Sequence, residues 1–243
     1  MRRAIPRQFQ HKALAGINDA LKLAGRLNHP FSLALTRLHA SILHQFRRDP
    51  RMVLQCIDSA EMLAAEKRLS LSLDPRVLRG WAMLDPDGIA AAVASFRAAL
   101  ADRQNQGTTH YGPYSLTLFA EVLARSGDHE GALAALADAD AIAEKGGERW
   151  WKAELRRLTG TVLLAENKLT EGEASLQQAI RVAQVQQAKS LELRAARDLA
   201  RLWGEQDRRA EARDLVAPVY SWFTEGFDTA DLKEARALLD QLA

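Results

Sequence analysis

The stretch Gly160-Thr-Val-Leu-Leu-Ala-Glu-Asn-Lys-Leu-Thr-Glu-Gly-Glu-Ala-Ser-Leu-Gln-Gln-Ala179 decides the fold. Gly160 is followed three residues later by Leu163. Gly172 is followed four later by Leu176, and Ala179 comes three beyond that. Spacings of three and four put each set on one helix face, so the stretch reads as two helices meeting at a turn near residue 169. The same set returns in steps of 40. Ala40, Gly80, Ala120, Gly160 and Ala200 occupy the small position, with Leu43, Met83, Leu123, Leu163 and Trp203 three residues on. In the following helix the steps give Met52, Ala92, Ala132, Gly172 and Ala212, then Cys56, Phe96, Leu136, Leu176 and Val216, then Ser59, Ala99, Ala139, Ala179 and Val219. A small residue lets two backbones approach, and the large neighbour fills the space between successive pairs. One such pair cannot bury its apolar face alone, so the pairs stack.

Turn signals cut the chain into about twelve helices, with turns expected near residues 29, 49, 74, 87, 108, 128, 147, 169, 188, 207 and 226. The sequence therefore predicts an all-α, right-handed solenoid of antiparallel helix pairs forming a single array. Residues 1–8 read as a flexible basic start and 9–28 as a second helix without its first. Residues 29–226 form five pairs, and 228–243 a capping helix with Leu232, Ala235, Leu238, Leu239 and Leu242 on one face. The unpartnered first helix should leave Leu14, Ile17, Leu21 and Ala24 poorly covered and open to self-association. The small-then-large spacing resembles the tetratricopeptide repeat, with a period longer than the usual ~34 residues.

A second resemblance rests on longer strings: Gly147-Glu-Arg-Trp-Trp-Lys-Ala-Glu-Leu-Arg-Arg-Leu-Thr-Gly160, Gln187-Ala-Lys-Ser-Leu-Glu-Leu-Arg-Ala-Ala196, and Leu215 through Ala235. These resemble the C-terminal TPR-like region of bacterial multidomain regulators that join a class III adenylate/guanylate cyclase to an AAA/STAND-type ATPase. The resemblance implies a part in bacterial signalling or transcription control, with a cyclase or ATPase component as a partner. It carries over no catalytic residue. The chain has no Gly-x-x-x-x-Gly-Lys-Ser/Thr loop to cradle phosphates and no spaced carboxylates for two metal ions.

Composition narrows function further. Lys and Arg number 33 against 31 Asp and Glu, a balance unlike that of a nucleic-acid-binding surface. No window approaches the ~18 consecutive apolar residues of a membrane span. The single Cys56 forms no internal disulfide and suits a reducing cytoplasm. His129-Glu130 begins like a zinc-protease motif, but Leu133 stands where the second His belongs. No nucleophile–base pair, metal set or cofactor is implied, and the expected role is non-catalytic.

The binding expectation rests on arginines. Arg194, Arg197 and Arg201 share a helix face by their i, i+3, i+7 spacing, and steps of 40 back from Arg197 lead to Arg157 and Arg37. In a TPR-like array the first helix of each pair lines the concave surface, so these should form an open basic strip. Such a strip suits an acidic peptide or partner protein, through bidentate contacts to carboxylates. Trp81 and Tyr114 complete the candidate set, and a pocket lined by Trp81 and Trp151 would suit an effector-sensing module instead. The competing reading is a solvated face neutralised in part by Glu154, Glu192 and Glu205.

Overall fold

The computed structural model describes residues 9–83, 88–105 and 110–243. They form twelve helices and no strand: α1 (Phe9–Arg26), α2 (Pro30–Phe46), α3 (Pro50–Lys67), α4 (Pro75–Ala82), α5 (Ile89–Asn105), α6 (Gly112–Arg125), α7 (His129–Gly146), α8 (Lys152–Ala165), α9 (Leu169–Val185), α10 (Lys189–Glu205), α11 (Arg209–Tyr220) and α12 (Ala230–Gln241). Each even-numbered helix from α2 to α10 pairs with the one after it, and the even-numbered helices also touch one another in series through α12. This is the TPR-like helical-repeat solenoid that the sequence predicts. The turns expected near residues 87 and 108 lie outside the described residues, as do residues 1–8.

Chain chemistry sets the starts of the helices. Asp49, Asp74 and Asp128 each accept a hydrogen bond from a backbone N–H in the first turn of the following helix, and His29 does the same for α2. Pro30, Pro50 and Pro75 occupy the first helical position, where a missing N–H costs nothing. Left-handed backbone ends the helices at regular intervals: Asn28, Arg48 and Arg68, then Gly127, Gly147, Asn167, Gln187 and Asp207. Within each series the step is 20 residues, which is why the pairs repeat at 40.

The two series are out of phase by one residue, and packing records it. Ala40, Gly80, Ala120, Gly160 and Ala200 are all buried, as the repeat requires. In α3, however, the buried set is Val53, Ile57 and Ala60, while Met52, Cys56 and Ser59 are half-buried. The turn after α2 falls at Arg48, one residue later than two forty-residue steps back from Gly127, so the apolar face of α3 rotates forward by one position. Gly160 and Gly172 meet where α8 crosses α9. A Cβ on Gly172 would lie 2.6 Å from Leu164 Cδ2 and 3.1 Å from the Gly160 carbonyl oxygen.

The first helix departs from its expected exposure. Its predicted open face packs on α2, with Ala24 buried and Leu14, Ile17 and Leu21 half-buried. The exposed apolar side chains there are Leu23, Leu27 and Phe31. No helix among the described residues is long and apolar enough to cross a membrane.

Candidate functional site

The array curls until its first pair reaches its last helix. At the C-terminal end of α2, Gln45 accepts from Tyr114 Oη (3.0 Å), and the Phe46 ring meets Trp151 edge-on at 4.6 Å. Phe46 also gives its carbonyl oxygen to Arg194, and Arg47 lies 3.4 Å from Asp228. These contacts leave a cavity of about 360 Å³ on the concave side. Its wall draws on the end of α2 (Gln45), the α2–α3 turn (Arg48), α4 (Trp81), α6 (Glu121, Arg125), the start of α7 (His129), α8 (Glu154, Arg157, Leu158, Thr161) and α10 (Arg194, Arg197, Asp198, Arg201).

Within that wall and just behind it, four arginines and four carboxylates close into a ring of alternating charge, of which only Asp231 and Glu234 do not line the cavity. Glu154 pairs with Arg157 (2.7 Å), Arg157 with Asp198 (2.5 Å), and Asp198 with Arg197 (2.8 Å). Arg197 reaches Glu234, which also holds Arg48 (2.9 Å). Arg48 continues to Asp231 (3.2 Å), Asp231 to Arg194 (2.7 Å), and Arg194 returns to Glu154 (3.6 Å). The ring ties the α2–α3 turn to α8, α10 and α12. Its formal charges cancel, which is what permits burial of so many ions.

The protonation equilibria follow from this geometry. Burial alone would raise the carboxyls of Glu154, Asp198 and Asp231, but the adjoining guanidiniums outweigh it and all three lie below the usual carboxylate range. Glu234 is lowered against the same burial, chiefly by its hydrogen bond from Arg48. Arg157 and Arg194 are raised, because their carboxylate partners overcome desolvation. The four carboxylates of the ring are therefore ionised at neutral pH.

The expected open strip is thus corrected in exposure. The side chains of Arg194 and Arg197 are only 4% and 7% exposed, and that of Arg157 12%. Arg201 stays at the mouth, 49% exposed and 3.8 Å from Asp198. Arg37 does not join the others: it is half-buried and donates to the Ser59 carbonyl oxygen (2.8 Å) on its own partner helix. Trp81 does line the cavity, where its Nε1 donates to Glu121 (3.0 Å). Tyr114 is fully buried beneath the groove, and Trp151 packs in the same aromatic cluster rather than on the cavity wall. The counter-charges expected from Glu192 and Glu205 come from elsewhere. Glu192 is buried against Lys189, and Glu205 is exposed.

Sequence reading missed Arg48, Asp198, Asp231 and Glu234 as site residues, along with Arg125, Glu121 and His129. Asp198 stood beside Arg197, and that adjacency was the one local signal. His129, read as half of an empty zinc motif, shares a hydrogen bond with Glu166 (2.8 Å) at the cavity's edge. Among the described residues no group of three or more His, Cys, Asp or Glu side chains is arranged to hold a metal ion.

Neither a family model nor a curated protein matches the chain. Among solved structures the chain is similar to the apo form of the quorum sensor NprR from B. thuringiensis, with a TM-score of 0.59 and 15% identity. The match covers 96% of this chain and 64% of that one. What the two share is the fold. The present chain spans less than two thirds of the sensor's length, so its own chemistry has to be read from its own groove.

Proposed function

We propose that this protein is a non-catalytic regulatory binding module whose concave cavity takes an acidic segment of a peptide or partner protein. One observation carries the reading: the cavity wall presents six arginines against three carboxylates, while two of the balancing acids, Asp231 and Glu234, stand outside that wall. A carboxylate entering the cavity meets an excess of guanidinium donors along its wall. Arg201 and Arg125 at the rim make first contact. Among the described residues, Arg201 has no carboxylate closer than 3.8 Å, and the only carboxylate on Arg125 is its helical neighbour Glu121 at 2.8 Å. The similarity to a quorum sensor supports a sensing role, in which occupancy of the groove alters an output partner. The resemblance of the segments from Gly147 onward to cyclase–ATPase regulators makes such a component the first partner to test.

The test is fluorescence anisotropy of a labelled acidic dodecapeptide titrated with the protein, repeated as salt is raised. Wild type should bind, and weaken with salt, because rim charges are screened. The Arg125→Glu, Arg201→Glu variant should lose affinity by about tenfold or more, equivalent to about 1.4 kcal/mol, at an unchanged melting temperature. Equal binding by the variant, or binding insensitive to salt, would sink the proposal.

A further inference from the structure

A second cavity, of about 290 Å³, lies between the end of α2, the turn before α8, the start of α10 and the turn after α11. It shares no lining residue with the concave groove. Four aromatic residues line it, Phe46, Trp150, Trp222 and Phe223, with Leu191 of α10 beside them. Trp150 is 39% exposed, unusually open for a tryptophan, and its ring lies 6.1 Å from that of Phe46. Trp222 and Phe223 meet edge-to-face at 5.2 Å. A rounded space of this volume is about 8 Å across, so one ring system inside it comes within the ~4.5–7 Å centroid spacing of aromatic pairs on both sides.

The charged groups in the wall are already engaged. Lys189 donates to the buried Glu192 (2.6 Å), and Glu225 has an interaction of its own. The other polar side chains of the lining, Gln187 and Ser190, carry no charge. Trp150 gives its Nε1–H to Glu148 (3.0 Å), so it offers the cavity ring surface only. A carboxylate or an ammonium entering here would lose hydration and find no unengaged counter-charge in the wall. An uncharged ligand loses little. Rings placed edge-on or offset attract an aromatic ligand beyond what its buried area supplies, and an aliphatic ligand of equal size gains no such attraction. The volume sits at the low end of small-molecule cavities, about 300–1,000 Å³, which favours a compact molecule over a peptide.

We infer that this cavity binds a small uncharged molecule of one or two fused aromatic rings, seated among Phe46, Trp150, Trp222 and Phe223. Its walls come from the end of α2 and from the turn after α11, so an occupant holds those parts of the array together. Binding favours the closed array over any opened form, because the opened form has no complete cavity. The inference does not depend on what enters the concave groove.

Four molecules of nearly one size test it, by saturation-transfer NMR with calorimetry on the same samples: benzyl alcohol, benzoate, benzylammonium and cyclohexylmethanol. Benzyl alcohol should saturate at millimolar concentration and raise the melting temperature as it does so. Benzoate and benzylammonium should each bind about tenfold more weakly or worse, and cyclohexylmethanol about threefold or more. Trp150→Leu and Trp222→Leu keep apolar surface in the wall but remove a ring. Each should therefore shrink the preference for benzyl alcohol over cyclohexylmethanol, an effect that a merely structural role of the tryptophan would not produce. If one variant fails to fold, the other and the wild-type series decide. No saturable response to benzyl alcohol, equal binding of either charged analogue or of cyclohexylmethanol, or an unchanged preference in the folded variants would each overturn the assignment.

Discussion

Replacing Asp231 by Ala breaks the ring of alternating charge at a deeply buried link. Asp231 accepts from Arg194 Nε at 2.7 Å and from Arg48 at 3.2 Å, and its side chain is 8% exposed against 4% for Arg194. Removing one partner of a buried pair costs about 3–5 kcal/mol, because the other charge is left without compensation. Arg194 keeps the Phe46 carbonyl and the more distant Glu154, so the lower end applies, about 3 kcal/mol. For a chain of this length each kcal/mol lowers the melting temperature by about 2–4 °C, which gives a fall of about 6–12 °C. The shape of the transition should change as well. Repeat arrays are coupled mainly between neighbours, whereas this ring joins the α2–α3 turn to the last helix, so its loss should broaden the melt. Thermal scans by circular dichroism at neutral pH measure both effects. The control is the double variant Arg194→Met, Asp231→Leu, which removes both charges and fills their space. It should recover most of the loss, since well-packed apolar replacements of buried pairs are often neutral or stabilising. If Asp231→Ala melts at the wild-type temperature, or the double variant melts no higher than Asp231→Ala, the ring is not what closes the array.

Two further outcomes follow from the same packing and charges. Gly160→Ala and Gly172→Ala should each destabilise by about 1–3 kcal/mol despite better helix propensity, and Gly160→Leu by more. The added Cβ on Gly160 would lie 2.8 Å from Leu176 Cγ and 3.0 Å from the Gly172 carbonyl oxygen, and unchanged melting curves would contradict that crossing. Stability should also fall in acid, with a set sign: the folded pKa values of Glu154, Asp198, Asp231 and Glu234 are depressed. Their contribution is complete above the unfolded range of about 3.9–4.3 and is lost as pH falls through the lower folded values. Denaturant titrations should give a flat stability from neutral pH to about 5 and a decline below about 4; a decline that begins near neutrality would mean other groups govern it.

The backbone plan was legible because it is written locally and repeated. Apolar spacing, Asp-Pro starts and the 40-residue recurrence at Gly160 and its equivalents each depend on residues within one or two helices. The slip of one position in α3 was not legible. It comes from where the backbone turns at Arg48, and an arginine carries no preference for the left-handed region that would have marked the spot. Exposure of the first helix was misjudged for a related reason: spacing identifies an apolar face but not how far a neighbour covers it.

The arginine face shows the limit most clearly. Helical geometry put Arg194, Arg197 and Arg201 together correctly, and the forty-residue step brought Arg157 beside them. From that alone, burial looked prohibitive, since several like charges cannot leave water without partners. The partners exist, but two of the four acids come from α12 and the fourth arginine from the α2–α3 turn, roughly 150 residues away along the chain from α10. No local pattern encodes that meeting. It arises because the superhelix closes, and its closure divides the face into two kinds of arginine. Arg157, Arg194 and Arg197 hold the array together, and Arg201, which the ring leaves half-exposed, is the one the proposed acidic ligand would meet. Substitutions in the first kind therefore report on folding, and only those at the rim, Arg125 and Arg201, can report on binding without disturbing the fold.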